Sequence, residues 1–181
     1  MWTTVLTLWS SATHSACATA LEDNVTYRNP TPTVDVVVLL AGDPARILLI
    51  RRSNPPAGWA LPGGFVDEGE RVESAARREA LEETGLSVTL TDLLGVYSDP
   101  ARDPRQHTMS VVFCATTADD AVPVAGDDAA QVIALSVERL ANEVLTSSPP
   151  AIDGVPIAFD HALILEDWLA LHTSGRRPAL G

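Results

Sequence analysis

The stretch from Gly63 to Leu86 limits what this chain can fold into more than any other part of it. A loop rich in Pro and Gly, Asn54 to Gly64, leads into a helical pattern from about Arg71 to Thr84, which Gly85 closes at the C-cap position. At about 100° per residue, Glu79 and Glu83 project within roughly 40° of each other, and Glu82 falls about 60° to one side. All three form one acidic edge. That edge overlaps Val72, Ala75 and Ala76, the small apolar residues expected to face the interior. Like charges one turn apart repel, and carboxylates beside an apolar face are costly unless they are paired, protonated or bound to metal. A hard divalent cation removes the conflict, because Mg²⁺ takes oxygen ligands and is held by one or two carboxylates plus substrate phosphates. The competing reading is a solvated acidic face with Arg77 and Arg78 as ion-pair partners.

The rest of the chain supplies a single domain around this helix. At 181 residues, with 46% apolar and 20% charged side chains, it can bury a core without staples. Val34 to Leu40 is a β-branched apolar run, followed by a turn at Ala41 to Pro44 and a second run, Ile47 to Ile50, which together predict a buried hairpin. Strands are expected in Ser87 to Tyr97, Thr108 to Thr117 and Val132 to Leu135. Helices are expected near Val137 to Leu145 and Asp160 to His172, with Asp160 as N-cap. The fold class is α/β (α+β), helices on a mixed sheet.

Three segments are expected: an N-terminal extension over 1–25, the domain over 26–175, and a frayed tail over 176–181. Met1 to Ala20 holds an apolar run, Trp2 to Trp9, but no Lys or Arg, and the run is too short to span a bilayer. The expectation is a cytoplasmic protein with no membrane partner, its two cysteines, Cys17 and Cys114, reduced. A formal charge of -12 argues against nucleic acid as a partner. A small anion would need a cation or a local group of arginines.

Gly64, Glu70, Arg78-Glu79, Glu82-Glu83 and Gly85-Leu86 stand at the spacing of the Nudix box, and the chain resembles the Nudix hydrolase family. The likeness extends through Tyr27-Arg28-Asn29-Pro30, Gly58 to Asp67, Tyr97 to Pro100 and Ala158 to His161. It implies a Nudix-type α/β/α sandwich and hydrolysis of a phosphoanhydride with Mg²⁺, Mn²⁺ being a substitute. Glu79, Glu82 and Glu83 are then the metal ligands, with the backbone carbonyl of Gly63. Arg78 holds the carboxylates by bidentate pairing, and Glu70 ties the loop to the helix. Asp127 and Asp128 are candidates for a further ligand or the general base, Asp128 as ligand and Asp127 as base. Glu79 as base with Asp127 as ligand is the other assignment, and an ordinary Gly-Asp turn is the bland one.

For the substrate, Pro100 resembles the proline that marks ADP-ribose pyrophosphatases. Arg102, Arg105 and His107 form a basic cluster for a phosphate or ribose, Arg51 is a further substrate contact, and Tyr97 or Trp59 is expected to stack on adenine. These point to ADP-ribose, with a nucleoside triphosphate or oxidised nucleotide as the alternative. A binding module without turnover is a reading of another class. A homodimer, with Met1 to Ala20 as a dimer element, is the remaining partner expectation.

Overall fold

The computed structural model describes residues 28–40, 42, 44–117, 122–126 and 129–177. Met1 to Ala20, Asp127 and Asp128 lie outside them, as do residues 178–181.

Strand β1 (Thr31–Leu40) is the centre of the sheet. Val34, Val36, Val37 and Val38 are fully buried, so both of its faces are covered, as the continuous apolar run requires. β1 runs parallel to β6 (Thr108–Thr117) along its whole length, and β6 pairs antiparallel with β5 (Thr89–Tyr97). Its other edge has two partners in succession. Leu39 and Leu40 pair with Ile47 and Arg46 of β2 (Arg46–Arg52), while Thr33 to Asp35 pair with β4 (Gly63–Phe65). The expected hairpin therefore holds only at its turn end. The strands fork because the glycine loop enters between them, with the Val36 N–H donating to the Pro62 carbonyl at 2.8 Å. β2 continues with β3 (Trp59–Ala60) on one side and β7 (Ala129–Ser136) on the other. The sheet is mixed, as the sequence implied.

Helix α1 (Val72–Thr84) lies on one face. Ala75, Ala76 and Ala80 are fully buried against Val34, Val36, Val38 and Leu48, and their small size lets the helix approach the sheet closely. Gly85 ends it in the left-handed conformation, φ 69°, with its N–H on the Leu81 carbonyl. On the opposite face α3 (His161–Ser174) buries Ile164, Leu165 and Trp168 with Ile47, Leu49 and Val112. Beside it a short turn, α2 (Val137–Arg139), runs into a π-helical turn at Leu140–Val144, where one longer helix was expected. The result is an α/β/α sandwich.

A two-residue hairpin, β8 (Ala151–Ile152) with β9 (Val155–Pro156), was not anticipated, although its Asp153-Gly154 pair is a turn signal. Asp160 stands at the N-cap of α3 but makes no capping bond, because its carboxylate is taken by Arg102. Arg177, expected to fray, donates to the Leu93 carbonyl at 2.9 Å and pairs with Asp92. Cys114 is a buried free thiol. Among the described residues no helix is long and apolar enough to cross a membrane.

Candidate active site

The fork and the alanine stripe together build the site. β4 brings Gly63 and Gly64 to the sheet, and α1 presses Glu79 and Glu83 against them. A Cβ at Gly63 would overlap the Val34 carbonyl, so glycine is required there for steric reasons, and one at Gly64 would displace the Glu79 carboxylate. The Gly63 N–H donates to Glu83 Oε2 at 2.9 Å. Arg78 spends its guanidinium on the surrounding acids: Nε and Nη2 pair with both oxygens of Glu70, at 3.0 and 2.8 Å, and Nη2 also reaches the Phe65 carbonyl. Its Nη1 bridges Glu79 at 2.8 Å and Glu82 at 3.1 Å. Lysine could not make this set of contacts.

These groups form one wall of a cavity of about 310 Å³. Its floor is a buried polar network. Asp35, 7% exposed in the middle of β1, accepts from Ser110 Oγ and faces Arg102 at 3.3 Å. Arg102, 8% exposed, donates from Nε and Nη2 to Asp160 at 2.9 and 2.8 Å, and from Nη1 to Thr108 at 3.0 Å. The Leu61 N–H donates to His161 Nδ1 at 2.9 Å, which leaves the ring proton on Nε2, 3.3 Å from Asp35 Oδ1. Burial alone would raise the Asp35 carboxyl, but His161, Ser110 and Arg102 hold it down at about 2.

Cationic and aromatic side chains line the same cavity. Arg52 and Arg105 both stack on the Phe159 ring, with guanidinium carbons 4.7 and 5.4 Å from its centroid. Arg52 Nε donates to the Pro56 carbonyl at 3.0 Å, and Arg105 pairs through Nε and Nη2 with Asp103 at 3.0 and 2.8 Å.

A divalent cation fits the carboxylate wall. Burial, reinforced by Glu79, pushes the Glu83 carboxyl up to about 8 against the pull of the Gly63 N–H, and burial raises Glu79 as well. A cation bound beside them would stabilise the charged forms that burial disfavours. Among the described residues no three acid, His or Cys side chains converge on one point. Mg²⁺ needs fewer, since substrate phosphates and waters complete its shell.

The structure divides the residues expected at the site. Glu79, Glu83, Gly63, Arg78 and Arg105 line the cavity, and so does Arg102, although its donors are consumed by the floor. Glu82 does not line it; its side chain is 56% exposed and turned to Arg78. Arg51 and Trp59 lie on the other face of the sheet, bordering a separate groove, because successive side chains of β2 alternate and Arg52 is the one that faces the site. Trp59 packs in the core, 6% exposed, beneath Arg51. The Tyr97 hydroxyl donates to Asp167 of α3 at 2.8 Å, so the ring anchors a helix and does not face the cavity. The exposed His107 donates from Nε2 to the Ser98 carbonyl, also outside the cavity. Gly126, which precedes Asp127 and Asp128, packs on the last turn of α1 with its N–H on the Glu83 carbonyl. Asp35, Arg52, Phe159 and His161 are cavity residues that the sequence reading missed. An acid inside a run of valines was a signal for Asp35, and strand alternation was one for Arg52.

Comparison with known proteins agrees with this geometry. The family model described as NUDIX domain matches residues 30–153. The chain belongs to the Nudix family. It is 39% identical over 145 residues to an ADP-ribose pyrophosphatase of Methanocaldococcus jannaschii, covering 79% of this chain and 75% of that protein. A MutT/nudix family protein from Enterococcus faecalis superposes with a TM-score of 0.67 at 31% identity, covering 81% of this chain and 64% of that one. The NUDIX domain of Shewanella oneidensis NrtR, complexed with ADP ribose, superposes with a TM-score of 0.60 at 25% identity, over 81% and 91%. The chain is thus a Nudix pyrophosphohydrolase by family.

Proposed function

We propose that this Nudix protein hydrolyses ADP-ribose to AMP and ribose 5-phosphate with Mg²⁺ as cofactor, Mn²⁺ being a substitute. The observation that carries the reading is the cavity itself. The carboxylates of Glu79 and Glu83 and the guanidiniums of Arg52 and Arg105 line one space of about 310 Å³, within the range of small-molecule sites. The choice of ADP-ribose is supported by the likeness to the M. jannaschii enzyme, which extends over most of both chains, and by Pro100.

Glu79, Glu83 and the Gly63 carbonyl would hold the ion, which when bound would lower the pKa of a water and neutralise charge on the phosphates. Water attacks one phosphorus of the P–O–P linkage, the bond to the bridging oxygen breaks, and the departing phosphate takes that oxygen with its electron pair. Glu79, on the cavity wall, takes the proton of the attacking water. Arg78 keeps Glu79 and Glu70 in register. Glu82 acts through Arg78, and Asp127 and Asp128, which follow Gly126 in the sequence, remain the candidates for a further ligand or the general base. The partner is a small-molecule nucleotide.

The test is a product assay with Mg²⁺ over ADP-ribose, NADH, diadenosine polyphosphates, dGTP and 8-oxo-dGTP. AMP and ribose 5-phosphate from ADP-ribose, formed faster than products from the others, are expected. Preferential pyrophosphate release from a triphosphate, or ADP-ribose recovered intact after binding, would overturn the reading.

A further inference from the structure

Phe159 sits in a conformation that its side chain does not favour. Its φ is 56°, in the left-handed region, where a bulky residue other than Gly, Asn or Asp is an outlier. Such strain persists only where neighbours fix it. Here they do on both sides along the chain. The preceding Ala158 N–H is bound to the Trp59 carbonyl at 2.8 Å, and the following Asp160 and His161 are locked into the buried network with Arg102, Asp35 and Leu61. The ring projects into the cavity, packed 5.2 Å from His161, centroid to centroid.

Two guanidiniums rest on that ring, and each is aimed by a second fixed acceptor. Arg52 is steered by the Pro56 carbonyl through Nε, which leaves both of its Nη groups without a protein acceptor among the described residues. Asp103 grips Arg105 through Nε and Nη2, which leaves Nη1. Asp103 is itself 5% exposed, so its hold on Arg105 is part of the built structure. Burial and the neighbouring Arg105 push the Arg52 guanidinium below its ordinary value, against the opposing pull of Glu83, Asp103 and Asp35.

The geometry points to a diphosphate clamp: Phe159 positions Arg52 and Arg105 to receive the phosphate of the substrate that the carboxylate wall does not engage. This rests on reading the cavity as a diphosphate-cleaving site and adds what selects the substrate. One phosphate would be held through a cation on Glu79 and Glu83 and the other by the guanidiniums, so both charges of a diphosphate are met in one cavity. A second phosphate is recognised by shape as well as by charge, since planar guanidiniums fixed at two points present their remaining N–H groups in one arrangement. Phe159 touches the arginines and does no chemistry, which makes it a positioning residue.

The clamp is tested without turnover by titrating the full chain with ADP in EDTA, where the carboxylate wall has no cation to offer and the sugar beyond the diphosphate plays no part. The variants are Phe159→Leu, Phe159→Tyr and Arg52→Met. Phe159→Leu and Arg52→Met are expected to weaken ADP about tenfold, equivalent to about 1.4 kcal/mol, while Phe159→Tyr, which keeps the platform, restores it. In turnover Phe159→Leu raises KM more than it lowers kcat, whereas a purely structural defect would reduce the active fraction at constant KM. Equal ADP affinity in all variants, or no ADP binding by the parent chain, overturns the clamp. Arg52→Met carries the test if Phe159→Leu does not fold. Because ADP is the probe, failure of the clamp is distinguishable from failure of ADP-ribose as substrate, which the product assay reads.

Discussion

Glu83 combines requirements that conflict elsewhere in the protein: it is 6% exposed, carries a carboxylate, and has a backbone N–H as its hydrogen-bond partner. The strain of this arrangement is electrostatic, and a bound cation relieves it. Glu83→Gln keeps the size and the Gly63 contact but removes the charge. Kinetics with saturating Mg²⁺ should show kcat down by about 10² or more, with a circular dichroism spectrum like the parent's. At this scale the sequence was readable where a residue broke a local pattern. Three acids on an apolar helix edge drew attention to this helix, and two of them, Glu79 and Glu83, line the cavity. It was not readable where the outcome depended on which way a side chain turns. Tyr97 and His107 are polar or aromatic residues near the right loop, yet one hydroxyl is closer to Asp167 and one ring to the Ser98 carbonyl than either is to the cavity. Arg51 and Arg52 are neighbours whose fates diverge because a strand alternates.

Among the elements, α1 does the most to place the chemistry, and it does so through what its side chains lack. Ala75, Ala76 and Ala80 leave room for the helix to sit against β1 and β4, so that Glu79 and Glu83 meet the glycines of the loop. Ala76→Leu would force the helix outward. Denaturant unfolding should show a loss of about 1–3 kcal/mol, the usual cost of overfilling a packed layer, and activity should fall further than stability because the carboxylates move with the helix. The helix, its glycine stop and the apolar strands were legible from periodicity and capping residues. The fork between β1 and β2 was not, because the loop that separates them has no strand pattern of its own: Gly63 to Phe65 reads as punctuation, and only pairing with Thr33 to Asp35 makes it β4. The Asp160 cap failed for a related reason. A capping acid is identified from local sequence, but this one is bound by an arginine 58 residues away.

For the molecule as a whole, an excess of acid coexists with a site built to take an anionic substrate, and the two are reconciled by where the few cations sit. Arg52, Arg78, Arg102 and Arg105, four of the twelve basic residues of the chain, all border one cavity, where they are set among Asp35, Asp67, Glu79, Glu83 and Asp103. Titration of the metal-free protein should register this. The Glu83 carboxyl is raised from its ordinary 4.5 to about 8, so its contribution to stability is full below 4.5 and is lost as pH rises through 8. Asp35 is lowered from 3.8 to about 2, so its contribution is present above 3.8 and is lost as pH falls through 2. Thermal melts in EDTA should therefore fall in Tm between pH 4.5 and 8, and excess Mg²⁺ should restore Tm most at the alkaline end. An EDTA melt that stays flat over that interval, with no Mg²⁺ effect at pH 8, would contradict the placement of Glu83.

The buried floor also has a consequence in time. Asp35 and Arg102 are 67 residues apart along the chain, and Arg102 and Asp160 are 58 apart, so their mutual grip is among the longest-range contacts the fold must close. Contacts of that kind form late, after the local turns and helices whose closure costs less entropy. The cavity is therefore complete only once these long-range contacts have closed. A nucleotide bound there would report that the last helix has docked, and a ligand that holds the finished floor together would slow its unravelling.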